Sequence, residues 1–371
     1  MAIGSGTLES MGLNADFWKG RRVWLSGHTG FKGGWLSVWL SRMGATVHGY
    51  ALPPTTAPNL FEAAKVEQLV THTVGDIRDE QGVLTSLTGA RPEIVIHMAA
   101  QPLVRYGYEN PLETYQTNVI GTANVLQAVR AVEGVRAVVV VTTDKCYLNR
   151  EWHWGYREDE ALGGFDPYSS SKACAELVAA AYRQSYFHAD KYAQHGVAVA
   201  TARAGNVIGG GDWADDRLIP DMMRAIATRQ PLRVRNPDAV RPWQHVLEPL
   251  RGYLMLAEKL FFHGPQFEGA WNFGPSDDDA QTVRWIAERL VNGWGNGASW
   301  SEDNLQHPHE AKYLKLDSSS AKARLGWHPR WRLERALGEI VTWYRAHLSG
   351  ANMYEITSSQ IAAFADTNDA N

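Results

Sequence analysis

An α/β fold, a doubly wound parallel sheet carrying a smaller C-terminal α/β lobe, is predicted by three observations. Short apolar runs at residues 22–25, 46–50, 69–74, 94–97, 137–141 and 197–203 alternate with helical patterns. That is the rhythm of a parallel sheet, whose crossovers need helices. The first run empties into a glycine turn, Ser26-Gly-His-Thr-Gly-Phe-Lys-Gly-Gly34, and then into a helical pattern through Trp35, Leu36, Val38, Trp39, Leu40 and Met43. After Arg203 the rhythm loosens into Gly209-Gly-Gly-Asp-Trp213, where a second lobe begins.

Composition sets the outer bounds. A chain of 371 residues with 44% hydrophobic and 20% charged residues has room for two subdomains and a sizeable core. Its formal charge of -4 offers no general attraction to nucleic acid. Two cysteines, Cys146 and Cys174, are too few for a disulfide framework and point to a reducing compartment. Residues 1–18 lack the basic start and apolar core of a secretion signal, and the longest strongly apolar run, 137–141, is too short to span a bilayer. The expectation is a soluble, cytoplasmic protein.

Gly27, Gly30 and Gly33 stand in a G-x-x-G-x-x-G spacing between a strand and a helix. Glycines there let backbone N–H groups approach a pyrophosphate at a helix N-terminus, so strand, turn and helix together favour a dinucleotide over an empty turn. His28 is bulky for such a loop and is expected to reshape the contact; Thr29, Phe31 and Lys32 complete it. The second strand ends Gly49-Tyr50-Ala51-Leu52-Pro53-Pro54, with neither a carboxylate for a ribose 2′-hydroxyl nor an arginine for a 2′-phosphate. The residues alone therefore do not choose between NAD and NADP. Ligands of such sheets lie beyond the carboxyl ends of the strands, which places Asp76, Ile77, Ala99, Ala100, Gln101 and Thr142 beside the cofactor. Asp76 has two readings, a partner for an adenine amine or the cap of a helix beginning near Asp79. Asn110-Pro111 opens a long helix in which Thr117 and Asn118 either face the cofactor cleft or, for Asn118, bond neighbouring backbone.

The expected domains are an N-terminal extension at 1–17, a Rossmann-like dinucleotide-binding domain at 18–203, a substrate lobe at 204–350 interleaved with it near 233–275, and a polar tail at 351–371 that frays.

Two stretches carry chemistry. Tyr168 and Lys172, four apart at the start of a helix after Gly163-Gly-Phe-Asp-Pro167, point to one face. A cation beside a phenol favours phenolate, lowering a pKa of about 10 and making Tyr168 a base for a hydroxyl proton. Such a spacing also arises by accident on exposed helices. The strand at 138–141 empties into Thr142-Thr-Asp-Lys-Cys-Tyr147, so Thr143, Asp144 and Lys145 bring a hydroxyl, an acid and an amine to the ligand end of the sheet. A capped turn with a solvated ion pair is the plain alternative; the glycine turn in the same chain makes the catalytic reading the simpler one. The small residues Ala173, Ala180 and Ala181 suggest a face that packs on a second copy, giving a homodimer or a dimer of dimers.

These motifs resemble the extended short-chain dehydrogenase/reductase superfamily over residues 18–349 or so. Gly27-His-Thr-Gly-Phe-Lys-Gly33, Thr142-Thr-Asp-Lys-Cys-Tyr147, Arg203-Ala-Gly-Asn-Val-Ile-Gly-Gly-Gly-Asp-Trp213 and Arg241-Pro-Trp-Gln-His-Val246 narrow the resemblance to the nucleotide-sugar 4,6-dehydratases acting on CDP-glucose. The resemblance implies tightly held NAD and a CDP-4-keto-6-deoxyglucose product that feeds deoxysugars of bacterial surface polysaccharide such as lipopolysaccharide O-antigen. It also implies that Tyr168 takes the 4-hydroxyl proton as hydride leaves C4, with Thr143 bonding the same oxygen and Lys172 tuning Tyr168 and binding the nicotinamide ribose. Asp144 matches the general acid for the departing C6 hydroxyl, so its pKa should be raised. Related enzymes carry glutamate as the C5 base where this chain has Lys145, whose pKa burial or cofactor charge is then expected to depress. Asn206, Arg217, Arg241 and Asn272 match positions that contact the sugar nucleotide, with Leu218 and Trp243 as walls for the base.

A 4-epimerase or simple dehydrogenase on the same fold, and a non-catalytic NAD-binding regulator, are the competing classes. An epimerase has no use for an acid–base pair at C5 and C6, and a regulator needs none of Tyr168, Lys172 and Thr143. In the lobe, residues 271–273 read as a strand and 282–291 and 333–347 as amphipathic helices, while His307-Pro-His309 lacks further spaced ligands and reads as loop, with no metal expected.

Overall fold

The computed structural model describes residues 13–303 and 312–367, so His307 and His309 lie outside the described residues. Seven strands form the main sheet: β1 (Arg22–Ser26), β2 (Thr46–Ala51), β3 (Thr71–Val74), β4 (Ile94–His97), β5 (Ala137–Val141), β6 (Ala198–Ala204) and β7 (Gly269–Phe273). Their order is β7-β6-β5-β4-β1-β2-β3, and every neighbouring pair is parallel. Strand order reverses at β1 and β4, which opens a crevice beyond their carboxyl ends.

Alternation along the strands builds two cores. Val23 and Leu25 join Ile94, Ile96, Val139 and Ala200 on one face, while Trp24 joins Val95, Val138, Val140 and Val199 on the other. β5 and β6 are buried at every position, which is why their sequences read as runs of small or apolar residues, interrupted in β6 by Arg203.

The crossover helices are set by local signals. α1 (Phe31–Arg42) follows the glycine turn directly. Asp79 caps α2 (Glu80–Ala90), its carboxylate accepting from the Gly82 N–H at 3.1 Å, so the cap is Asp79 and not Asp76. The helix expected from Pro111 is interrupted: Pro111–Tyr115 leads into a π-type turn, Gln116–Ile120, before α3 (Gly121–Ala131). α4 (Pro167–Ser185) starts with Pro167 in its first turn and a reciprocal capping box between Asp166 and Ser169, fixing where Tyr168 begins.

The C-terminal part holds three two-stranded pairs, Val207–Ile208 with Gln244–His245, Leu232–Val234 with Trp300–Glu302, and Val240–Pro242 with Ala280–Thr282. Helices α5 (Leu218–Thr228), α6 (Leu247–His263), α7 (Val283–Trp294) and α8 (Leu333–Leu348) surround them. α6 places Leu250, Tyr253, Leu254 and Ala257 in the core beneath β5 and β6, and β7 then joins the main sheet beside β6.

Two expectations are corrected here. The tail is not frayed over its described residues: α9 (Met353–Ala365), capped by Asn352, buries Ile361 and Phe364. The Phe364 ring lies 5.2 Å from that of Trp331 and 5.8 Å from that of Trp39. The stripe 353, 357, 361, 364 has helical spacing but is masked by Thr357, whose hydroxyl accepts from the buried Trp343 indole. The small-residue face loses Ala173, which is buried in the chain's own cluster with Cys146 and Tyr147, while Ala180 is half-buried and Ala181 exposed. No helix of the described residues is long and apolar enough to cross a membrane.

Candidate active site

A cavity of about 750 Å³ opens where the end of β5 meets the C-terminal lobe. Thr142, Thr143, Asp144, Lys145 and Tyr168 line it from the sheet side, with Asn206, Arg217, Leu218, Arg241 and Trp243 opposite. Phe31 and Lys32 reach it from the first turn of α1.

The turn after β5 is held by Thr143, which caps the short helix Asp144–Cys146. Thr143 Oγ1 donates to Asp144 Oδ1 at 3.0 Å, and Asp144 Oδ2 is buried without a hydrogen-bond partner. Burial raises the Asp144 pKa against the opposing pull of Lys145, Thr143, Arg241 and Lys32. Lys145 is half-buried, and its side-chain nitrogen stands 6.0 Å from the Tyr168 ring centroid.

Tyr168 and Lys172 are both buried, but they do not form the expected phenolate pair. Lys172 Nζ donates to the Val141 carbonyl at 3.2 Å. Burial lowers Lys172 to about 7, reinforced by Lys32 and opposed by Glu176. Burial pushes Tyr168 up to about 12, with the Thr143 hydroxyl pulling the other way. Spacing put the two groups at the start of one helix, but loss of water dominates each, and the Lys172 ammonium turns to the Val141 carbonyl.

The glycine loop has the shape of a phosphate cradle. A Cβ on Gly33 would stand 2.1 Å from the Gly27 carbonyl oxygen, and one on Gly27 (φ +79°) 2.8 Å from the Ala99 nitrogen. Gly30 caps α1 with no side chain, leaving the first-turn N–H groups free of a side-chain partner. Thr29 Oγ1 ties the loop to the Leu52 carbonyl at 2.8 Å. His28 does not intrude: its buried ring packs on Gly49 and shares a 2.6 Å hydrogen bond with His72, and burial lowers its pKa to about 4.

Beyond the neighbouring strands, Asp76 accepts from the Arg78 guanidinium at 2.6–3.0 Å, which lowers its pKa, and from the Arg78 N–H. Ile77 packs into the sheet's second core, close against Gly121. The Ala99 N–H donates to Ser26 Oγ at 3.1 Å, and half-buried Ala100 continues the strand end. Asn118 takes the buried-asparagine reading: Oδ1 accepts from the Gln101 N–H at 2.8 Å, and Nδ2 donates to Gln101 O and Ser171 Oγ. It is 1% exposed, so its role is to tie two segments together.

On the lobe side, Arg217 pairs with buried Asp212 at 2.8 Å while still lining the cavity. Asn272 is misplaced by the sequence reading. It is fully buried outside the lining, accepting from Tyr147 Oη at 2.7 Å and donating to the Tyr156 and Asp317 carbonyls. Sequence reasoning missed Arg105 and Arg235, which line the cavity and converge on Asp216 at 3.2 and 2.8 Å. It also missed the buried pair Glu176–Arg203, although an arginine inside an otherwise small-residue strand signals a buried partner.

A family model described as GDP-mannose 4,6-dehydratase matches residues 25–264. A CDP-glucose 4,6-dehydratase of Salmonella typhimurium is 54% identical over 352 residues, covering 95% of this chain and 98% of that one. A dTDP-glucose 4,6-dehydratase of Streptomyces griseus is 30% identical over 280 residues, 73% and 79% of the two chains. In fold, the chain is similar to a dTDP-glucose 4,6-dehydratase from Streptomyces venezuelae solved with NAD, with a TM-score of 0.73 at 24% identity over 90% and 99% of the chains. It is likewise similar to a UDP-glucose 4-epimerase from Thermotoga maritima, with a TM-score of 0.75 at 20% identity over 88% and 99%. The chain belongs to the GDP-mannose 4,6-dehydratase family of the extended short-chain dehydrogenase/reductase superfamily.

Proposed function

We propose that this protein is a CDP-glucose 4,6-dehydratase, a hydro-lyase that converts CDP-glucose to CDP-4-keto-6-deoxyglucose and water with catalytic NAD. The observation that carries the reading is Asp144, a buried acid with one unpartnered oxygen, on the turn that also bears Thr143 and Lys145 and in the same cavity as Tyr168. The likeness to the Salmonella typhimurium enzyme supports CDP-glucose as the substrate.

The loop fits a dinucleotide, because backbone packed against Gly27 and Gly33 leaves no room for side chains and keeps the turn tight, and the first turn of α1 offers uncapped N–H groups. Gly27, Thr29, Gly30, Phe31, Lys32 and Gly33 would hold the pyrophosphate, with the ends of β3, β4 and β5 around the nucleosides. Bound NAD supplies temporary storage for two electrons and, through its cationic ring, a field that favours phenolate.

Tyr168 takes the 4-hydroxyl proton, and Thr143 steadies the same oxygen. The resulting ketone acidifies the C5 hydrogen, which the Lys145 side chain removes as the free amine. Asp144, whose pKa burial raises, gives its proton to the departing C6 hydroxyl, and the electrons taken from C4 return to C6 as C5 regains a proton. Arg217 and Arg241 grip the diphosphate, with Asn206 beside the sugar and Leu218 and Trp243 against the base. A 4-epimerase would leave Asp144 and Lys145 without work.

The same proposal assigns NAD binding to residues 18–203 and substrate binding to 204–350, interleaved near 233–275. A homodimer or dimer of dimers belongs to it, supported by Leu112, Ile120 and Leu177 exposed along the helices around Asn118 and Tyr168. Cytoplasmic placement is supported by two unpaired cysteines.

The test is mass spectrometry of products from CDP-, UDP-, dTDP- and GDP-glucose. Loss of one water from CDP-glucose without net NADH is expected; isomerisation without mass change, or net NADH with loss of two hydrogens, would refute the reading.

A further inference from the structure

β6 contains one charged residue, Arg203, 3% exposed among alanine, valine and threonine. A guanidinium inside a sheet needs a partner, and Glu176 on α4 supplies it. Glu176 Oε1 accepts from Arg203 Nε at 2.9 Å and Oε2 from Arg203 Nη2 at 2.8 Å. The same two oxygens accept from the hydroxyls of Thr142 and Thr201. Arg203 Nη1 continues the network, donating to Tyr147 Oη at 2.8 Å and to the Glu158 carbonyl at 3.0 Å. Tyr147 Oη passes it on to Asn272 Oδ1.

The placement of these partners matters more than their number. Thr142 and Tyr147 bracket the turn that holds Thr143, Asp144 and Lys145. Glu176 lies one helical turn past Lys172 and two past Tyr168. One buried pair thus fastens both ends of the acid–base turn to the helix that carries the tyrosine. If it served only stability, apolar residues of the same volume would do as well or better. A bidentate guanidinium–carboxylate contact fixes direction as well as distance, which apolar packing does not.

We propose that Glu176 and Arg203 are positioning residues that set the register between Tyr168 and the Thr143-Asp144-Lys145 turn, so that oxidation at C4 and elimination across C5 and C6 proceed on one unmoved sugar. This rests on the dehydratase reading. Neither residue lines the cavity, so both act through the groups they hold.

The test uses Glu176→Gln, Arg203→Lys and Tyr147→Phe in the full chain, loaded with NAD and given CDP-glucose. Tyr147→Phe is the gentlest, because the ring keeps its stack on Tyr156 and its place in the cavity wall, and only the hydroxyl's bonds to Arg203 and Asn272 are lost. Expected are a kcat reduced roughly 100-fold with KM within about twofold, the signature of lost alignment. Reduced cofactor should build up during turnover of Tyr147→Phe, since the Asp144 and Lys145 steps lag behind oxidation. Without cofactor or substrate, amide hydrogen exchange over residues 142–147 should quicken in the variants. Full activity with unchanged exchange in Tyr147→Phe overturns the proposal, as does lost activity with no build-up of reduced cofactor. Should Glu176→Gln fail to fold, Tyr147→Phe decides by the same readouts. If the unaltered protein leaves CDP-glucose untouched, the dehydratase reading fails, while the exchange measurement still tests the clamp.

Discussion

Thr143 and Asp144 share a single hydrogen bond, Oγ1 to Oδ1 at 3.0 Å, and the other oxygen of Asp144 is buried with no partner. A carboxyl so placed is costly to ionise, and burial moves its pKa upward, toward the range a general acid needs.

Asp144→Asn should therefore lower kcat by about 100- to 10,000-fold, the range for loss of a general acid. It should also stabilise the protein. The folded carboxyl has a raised pKa, so the stability linked to its proton is present below the unfolded value and is lost as pH rises through the folded one. Asparagine does not ionise, so the variant's Tm should exceed the parent's at neutral pH and match it in acid.

Lys172 has the opposite sign. Its pKa is lowered from 10.5 to about 7, so its contribution is full above 10.5 and lost as pH falls through about 7. Lys32, Glu176 and Cys146 face it, and His97 lies close by. In urea unfolding of cofactor-free protein, Lys172→Met should be the more stable at pH 7, by on the order of a few kcal/mol, and lose that advantage near pH 10.5. Comparing the two proteins at each pH cancels the titration of groups they share.

Arg217→Ala should raise KM for CDP-glucose roughly 10- to 100-fold, with kcat changed less, since a charge-assisted hydrogen bond contributes about 1.5–3 kcal/mol. Arg217→Lys should recover only part of this, because an ammonium lacks the fork that spans two phosphate oxygens. Steady-state kinetics separates the two parameters.

Gly33→Ala puts a methyl group against the Gly27 carbonyl, and neither backbone segment has room to yield. NAD titration by fluorescence should show lost affinity, and urea unfolding a stability loss of about 1–3 kcal/mol.

Much of this was legible because the signals are local. Runs dominated by apolar and small residues marked β4, β5 and β6, and the glycine spacing marked the loop whose packing excludes side chains. The turn at Thr143–Asp144–Lys145 and its shared cavity with Tyr168 followed from strand ends. Long-range matters were hidden. Spacing placed Tyr168 and Lys172 together but could not tell how far burial would move each pKa. Helix position left Asn118 open between cofactor cleft and buried tie, and resemblance alone put Asn272 at the substrate; only partners distant in the chain reveal that their carboxamides are occupied. α9 escaped notice because a threonine interrupts its apolar stripe.

The most direct test of the central claim is the fate of deuterium in CDP-[4-²H]glucose, read by NMR of the product. One cavity that oxidises C4, eliminates water and returns the same electrons should place the label at C6. Label returned to C4, or lost without reaching C6, would contradict it.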